Sequence, residues 1–354
     1  VFIPAESGYH EEPFPRDVLN LAAIRSDARS VLWENDEAAL LDAGQCVALF
    51  EFRSKGNSLS RAVMQGLMKA IDQVERDPDL RGMIIGNDGK NFSVGANLAE
   101  MAQAAQDRRF DAIDAYLKEF QGAIQRVHYA AKPVVVAVHQ RVLGGACELL
   151  MASDAPVASA ETYVGLVEVG VGLIPAGTGV MRLARRAAQE SRTGFPSHLQ
   201  PHVQRYFEQV LRATVSGSAA EAVTLGYLPE HAHIVMHDDR RLFAAREQVV
   251  RLAEMGYRPR PIGGPIRVLG RQGWAALVVL VDQYRQGGFI TEYDAVIANR
   301  LAYAFTGGDL VGVQDVDESY LLDLEREVFL QLLGEERTQQ RVAHMLQHKK
   351  PLRN

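Results

Sequence analysis

Residues 132–186 read KPVVVAVHQRVLGGACELLMASDAPVASAETYVGLVEVGVGLIPAGTGVMRLARR. An apolar run of strand length at 133–138 passes through two adjacent glycines, Gly144 and Gly145, into a segment of helical character that carries Glu148. A second acid, Glu168, interrupts a later apolar stretch. A strand that becomes a helix with only a glycine pair between them calls for an α/β arrangement. The rest of the chain is readable as packing around this unit.

Upstream, 30–34 and 46–52 are short strand candidates, and the intervening DEAALLDAG has turn signals at both ends. RSKGNS at 53–58 is a loop. Apolar residues at 59, 63, 67, 71 and 74 keep helical spacing, with Ser58 placed to cap the start. GMIIG at 82–86 is a buried strand, 87–91 a polar loop, 92–101 the entry to a helix, and 110–127 a longer helix. Downstream, QESRTGFPSHLQPH at 189–202 reads as a polar, Pro-bearing surface insertion. Helices are expected at 206–214, 218–225, 238–255, 273–284, 292–305 and 319–333, and RPRPIGGP at 258–265 marks a break between core and tail. Residues 2–17 are rich in Pro, Glu and aromatic residues without periodicity, which reads as a linker, and the opening Val1 suggests a piece of something longer. The expected organisation is a linker plus first strand over 1–45, a core over 46–257, and a helical region over 258–354.

With 38 basic against 44 acidic residues, the net charge of -6 leaves no basic stripe, which argues against nucleic acid and anionic membrane as partners. Two cysteines, Cys46 and Cys147, cannot form a disulfide framework and fit a reducing cytoplasm. The apolar run at 274–281 is far too short for a membrane span, and no signal pattern opens the chain. No metal is called for.

In LGGACEL the glycines allow close backbone approach, and the helix that starts there leaves first-turn N–H groups free to receive an anion. Glu148 stands three residues past Gly145, roughly one helical turn on and on the same face. FSVGANL repeats the pattern, with Gly95 at the bend and the N–H of Ala96 opening the next helix. Singly, each feature has an ordinary reading: a glycine pair is a turn, Glu148 a first-turn acid favoured by the helix dipole, Glu168 a salt-bridged core residue. Only the combination points to chemistry.

FSVGANLAEM, KPVVVAVHQRVLGGACELLMASD and YVGLVEVGVGLIPAGTG, in this order and spacing, resemble the enoyl-CoA hydratase/isomerase (crotonase) superfamily over about 46–235. The resemblance implies a crotonase-like ββα superhelix with a C-terminal all-helical extension. It also implies a thioester oxygen held by the N–H groups of Ala96 and Gly145, and proton transfer by Glu148 and Glu168. GNDGKNFSVGANL, ETYVGLVEVGVGLIPAG, the insertion after Arg186, YLLDLEREVFLQLLGEERTQQRVAHML and KPLRN further resemble the C-terminal half of long bacterial 3-hydroxyacyl-CoA dehydrogenases of fatty-acid oxidation. In those proteins an NAD-binding part comes first. No G-x-G-x-x-G follows an N-terminal strand here, so NAD is expected to belong only to an absent dehydrogenase part. Three positions depart from the family pattern: Ala146 for a third glycine, Asn97 for a frequent Asp, and Thr178-Gly179-Val180 for Gly-Gly-Thr.

By the same resemblance the loop 53–58 covers coenzyme A, which makes Lys55 a phosphate or ribose contact. Gly95, Asn97 and Gly144 would line the acyl-thioester site, and Lys349 and Lys350 would reach the nucleotide, from the same or a neighbouring subunit. The C-terminal helices imply a trimer or a dimer of trimers. Three readings compete at this point: a hydratase using both glutamates, an isomerase using Glu168 alone, and a non-catalytic module that organises a dehydrogenase.

Overall fold

The computed structural model describes residues 2–5, 8–11, 17–191, 193 and 195–354. β1 (Phe2–Ala5) and β2 (Gly8–Glu11) pair antiparallel, so the stretch read as a linker contains paired strands. Its residues 6, 7 and 12–16 lie outside the described residues. Then come α1 (Leu21–Ser26), β3 (Val31–Glu34), β4 (Ala38–Asp42), β5 (Val47–Phe52), α2 (Arg61–Arg76), β6 (Gly82–Gly86), α3 (Leu98–Gln106) and α4 (Phe110–His128). β7 (Val134–Leu143), α5 (Gly145–Ala152), β8 (Val157–Gly165), α6 (Gly179–Ser191), α7 (Pro196–Leu211), α8 (Ala219–Thr224), β9 (His233–Val235) and α9 (Arg241–Glu254) complete the core.

The seven strands β3 to β9 form one sheet in simple chain order. β3, β4 and β5 run antiparallel, and β5 through β9 are parallel neighbours, so each return passes over the sheet and advances by one strand. That is the expected strand-and-helix spiral. Successive side chains alternate faces. Ile85 and Val136 join α2, α4, α5 and α6 on one side, while Ile84 and Val135 pack with Leu242, Ala245 and Val249 of α9 on the other. Both faces are covered, hence the unbroken apolar runs.

Three local expectations change. AALLD, within the segment that separates the first two strand candidates, is β4; its first four residues are all buried, so no polar alternation announced a strand. The cap of α2 is Ser60, whose hydroxyl accepts from the Val63 N–H at 3.2 Å, rather than Ser58. The supposed insertion at 189–202 is the end of α6 and the first half of α7, where Leu199, Val203, Tyr206, Phe207 and Val210 form a buried stripe.

Beyond the break at 258–265 come β10 (Ile266–Val268), α10 (Gly270–Gln286), α11 (Glu292–Phe305), β11 (Gln314–Val316), α12 (Glu318–Gly334) and α13 (Glu336–His348). β10 and β11 pair antiparallel, so the tail is helical but not all-helical. Leu301, Val328 and Phe329 of its helices share the apolar cluster that contains Phe120 and Val180. The tail is therefore part of the core that backs the sheet. Among the described residues no helix is long and apolar enough to cross a membrane.

Candidate active site

The loops that follow β6, β7 and β8 meet at the carboxyl ends of these parallel strands, where open α/β sheets hold ligands. Ser93 donates to the Arg141 carbonyl and accepts from Leu143 N–H, each at 3.1 Å, which lays the first loop along the end of β7. Gly144 N–H donates to Gly165 O at 2.9 Å and ties the glycine turn to the end of β8. Gly95 and Gly144 have φ of 101° and 58°, backbone that a side chain would strain. A Cβ on Gly95 would stand 3.2 Å from Gly145 N, and one on Gly145 would stand 3.5 Å from Ala96 N. The Ala96 and Gly145 amides thus border one small space, and among the described residues neither N–H donates to a protein acceptor. Ala96 does not itself open a helix; α3 starts at Leu98 with Asn97 as its cap.

Two carboxylates flank this turn. Glu148, on the first turn of α5, is 2% exposed, and its Oε1 accepts from Gly177 N–H at 2.8 Å and Gly179 N–H at 2.7 Å. Burial raises its pKa to about 7 against the opposing pull of those two N–H groups. Glu168 begins a 3₁₀ turn, Glu168–Val171. Its Oε1 lies 3.1 Å from where a Cβ on Gly144 would be, and its Oε2 is occluded from solvent with no hydrogen-bond partner. The residue as a whole is half-buried, but Oε2 faces inward. Burial first, and the Glu148 charge second, push Glu168 well above the usual carboxylate range. Two acids in one site thus differ in environment: Glu148 has an oxygen held by two backbone donors, and Glu168 has a buried oxygen with none.

The model of the Enoyl-CoA hydratase/isomerase family matches residues 42–193, the segment that carries both acids and both amides. Residues 42–193 belong to the enoyl-CoA hydratase/isomerase family. The chain is 38% identical over 336 residues to a protein of Bacillus subtilis described as a probable 3-hydroxyacyl-CoA dehydrogenase, covering 95% of this chain and 41% of that protein. It is 31% identical over 149 residues to a probable enoyl-CoA hydratase of the same organism, covering 42% of this chain and 57% of that protein. The chain therefore spans less than two thirds of the length of either relative. The crotonase fold is shared with crystal structures of an enoyl-CoA hydratase from Bacillus halodurans (TM-score 0.57, 13% identity, 87% of this chain and 99% of that one) and an enoyl-CoA hydratase/isomerase from Mycobacterium paratuberculosis (TM-score 0.55, 18% identity, 87% and 98%).

Within the hydratase/isomerase segment and its tail, other predicted contacts are placed less centrally. The Asn97 side chain accepts from Ala99 N–H at 3.2 Å and donates to Glu100 at 2.8 Å, so it is engaged in capping α3. Lys55 is exposed on a loop that reaches the site through Leu59, whose N–H donates to Gly95 O at 2.9 Å. Lys349 and Lys350 are exposed beyond α13. Thr338, near the start of that helix, donates to Gly172 O at 2.8 Å, just after the Glu168 turn. At 1.5 Å per helical residue the two lysines stand about 16 Å farther along.

Several residues around the acids were not legible in the sequence. Phe120 of α4 stands between the two loops, with its ring 2.8 Å from where a Cβ on Gly145 would be and 2.7 Å from where one on Gly177 would be. Thr178 holds φ at 132°, a left-handed conformation rare for a β-branched residue, where the family pattern has glycine. Its hydroxyl accepts from Arg182 Nε at 3.0 Å. Arg182 is itself buried, and burial lowers its pKa to about 10. The departure at 178 carried a signal, namely a threonine in a glycine position; Phe120 carried none.

Proposed function

We propose that this chain hydrates trans-2-enoyl-CoA to 3-hydroxyacyl-CoA in fatty-acid β-oxidation, as the hydratase part of a 3-hydroxyacyl-CoA dehydrogenase/enoyl-CoA hydratase. The observation that carries the reading is the pairing of two inward-facing carboxylates of unlike environment beside two unpaired backbone N–H groups. Glu148, held by two donors, is the easier acid to ionise and acts as base: water oxygen bonds to C3 while one of its protons passes to Glu148. The C2–C3 π pair moves toward the thioester, whose oxygen gathers negative charge between the N–H groups of Ala96 and Gly145. Such donors are worth about 2.7–4 kcal/mol each in related chemistry. Glu168, kept neutral by burial, gives its proton to C2. A proton then returns from Glu148 to Glu168, through solvent or product water, to reset the site.

The chain needs no cofactor for this step; coenzyme A arrives as part of the substrate, with Lys55, Gly95, Asn97, Gly144, Lys349 and Lys350 as its proposed neighbours. Disappearance of the ultraviolet absorbance of the conjugated thioester of crotonyl-CoA tests the reading, and no turnover at any enzyme concentration would end it. An isomerase working through Glu168 alone would keep shifting a 3-enoyl-CoA double bond after Glu148→Gln, whereas a hydratase loses turnover. We place the protein in the cytoplasm and expect it to assemble as a trimer or a dimer of trimers, which sedimentation equilibrium reads directly. This chain alone is expected neither to bind NAD nor to oxidise 3-hydroxyacyl-CoA. Micromolar NAD binding in a calorimeter would contradict that.

A further inference from the structure

A third buried carboxylate lies beside the two in this scheme. Glu325 of α12 is 1% exposed, and its Oε1 accepts from Met181 N–H at 2.7 Å in the first turn of α6. Gln121 of α4 sits next to it: its Nε2 donates to Ala176 O at 2.9 Å and to Leu322 O of α12 at 3.0 Å, and lies 3.4 Å from Glu325 Oε2. Arg326 donates to Gln121 Oε1 at 2.8 Å and fixes the amide's orientation. Ala176 and Met181 bracket the short segment whose Gly177 and Gly179 N–H groups clasp Glu148. Thr178, in the middle of that segment, is in strained backbone, which persists only where the surroundings hold it from several sides. The ties from α12 and the Arg182–Thr178 hydrogen bond are those constraints.

We propose that Glu325 is a positioning residue for Glu148: in its neutral form it fastens the Gly177–Gly179 turn to α12, so that both N–H groups stay on the Glu148 carboxylate and favour its ionised form. The role of Glu148 as base rests on the hydratase reading above; the clamp does not. Charged groups face Glu325 from α5 (Glu148) and α6 (Arg182), while α4 presents the neutral Gln121. On its own helix Arg326 is engaged by Asp114, Asp323 and Gln121. None of the largest influences on Glu325 comes from α11 or α13, which also pack on α12. Burial and the Glu148 charge hold the Glu325 proton on, against the Met181 N–H, Gln121 and Arg182.

The test is an isotope-edited infrared pH titration of the free protein, with the Glu148 band assigned by its loss in Glu148→Gln. Glu325→Ala removes the acceptor for Met181, and the Glu148 midpoint is expected to rise by on the order of one pH unit as its donors loosen. Crotonyl-CoA kcat should fall at least about tenfold with KM little changed. Glu325→Gln keeps an acceptor and cannot ionise, so it should restore both. An unmoved midpoint in the alanine variant overturns the proposal. So does a midpoint lowered in the glutamine variant, because that would mean Glu325 carries a charge. Should Glu325→Ala not fold, the glutamine titration decides alone. The infrared midpoint needs no substrate: a wild-type protein that titrates as described but does not hydrate crotonyl-CoA loses the hydratase reading and keeps the clamp.

Discussion

Glu168→Gln is expected to slow crotonyl-CoA hydration by roughly 10²–10⁴-fold, the range for loss of a positioned acid, while acyl-CoA binding stays near wild type. Little else depends on this side chain: Oε2 has no partner and Oε1 rests against the Gly144 turn. The same substitution should stabilise the fold at alkaline pH. The raised pKa of Glu168 means that the folded chain binds its proton more tightly than the unfolded chain does. That contribution is complete below the ordinary carboxylate range and is lost as pH rises toward the folded value. An amide does not titrate, so the difference in Tm, variant minus wild type, should grow as pH rises above the ordinary carboxylate range toward the raised folded value. Glu148→Gln should behave likewise, since an amide oxygen can still accept from Gly177 and Gly179. Full turnover by either variant would refute the two-carboxylate mechanism, and a Tm difference independent of pH would refute the buried, protonated state of Glu168.

Gly145→Val is expected to abolish both turnover and acyl-CoA binding. A Cβ there would lie 2.8 Å from Phe120 Cζ, and a branched side chain would fill the space beside Ala96 N where the thioester oxygen is proposed to sit. The obstacle is steric: the left-handed φ belongs to Gly144, not to Gly145. Overpacking of this kind costs about 1–3 kcal/mol, so the variant should fold, and circular dichroism must show that it does. Gly170→Ala is the comparison. It lies in the Glu168 turn, has no left-handed φ, and an added Cβ would meet nothing within 4 Å, so activity should change little. Isothermal titration with a non-reacting acyl-CoA separates lost binding from lost chemistry; a folded Gly145→Val that binds normally would remove this turn from the site.

Features written within a few consecutive residues were legible before the fold was. Gly144, Gly145 and Glu148 share one strand-to-helix turn, and Gly95 with Ala96 lie in another short loop, so the chemistry proposed for them could be read from local sequence and from the family resemblance. Glu168 stood out as an acid among Val167, Val169 and Val171. What escaped reading depends on distant contacts. β4 has no alternation because both of its faces are covered, and the first half of α7 hid behind Pro196 and Pro201 although its buried stripe keeps helical spacing. Ser58 and Ser60 are equal as caps on paper; Ser60 is the one whose hydroxyl meets the Val63 N–H. Phe120, Gln121 and Glu325 look like any helical aromatic, amide and acid until α4, α6 and α12 are packed together.

Two ties on the catalytic loops come from late in the chain: Glu325 on the turn that holds Glu148, and Thr338 on the carbonyl after the Glu168 turn. Translation delivers Ala96, Gly145, Glu148 and Glu168 long before either tie, and domains begin to fold from the N-terminal side as they emerge. A nascent chain that stops short of α12 therefore carries the side chains proposed to react without these two ties, although Gln121 and Arg182 still hold the Gly177–Gly179 turn. Under the proposed mechanism the full geometry of the site is complete only once α12 and α13 have been made, so a prematurely released product would have its side chains without two of its supports.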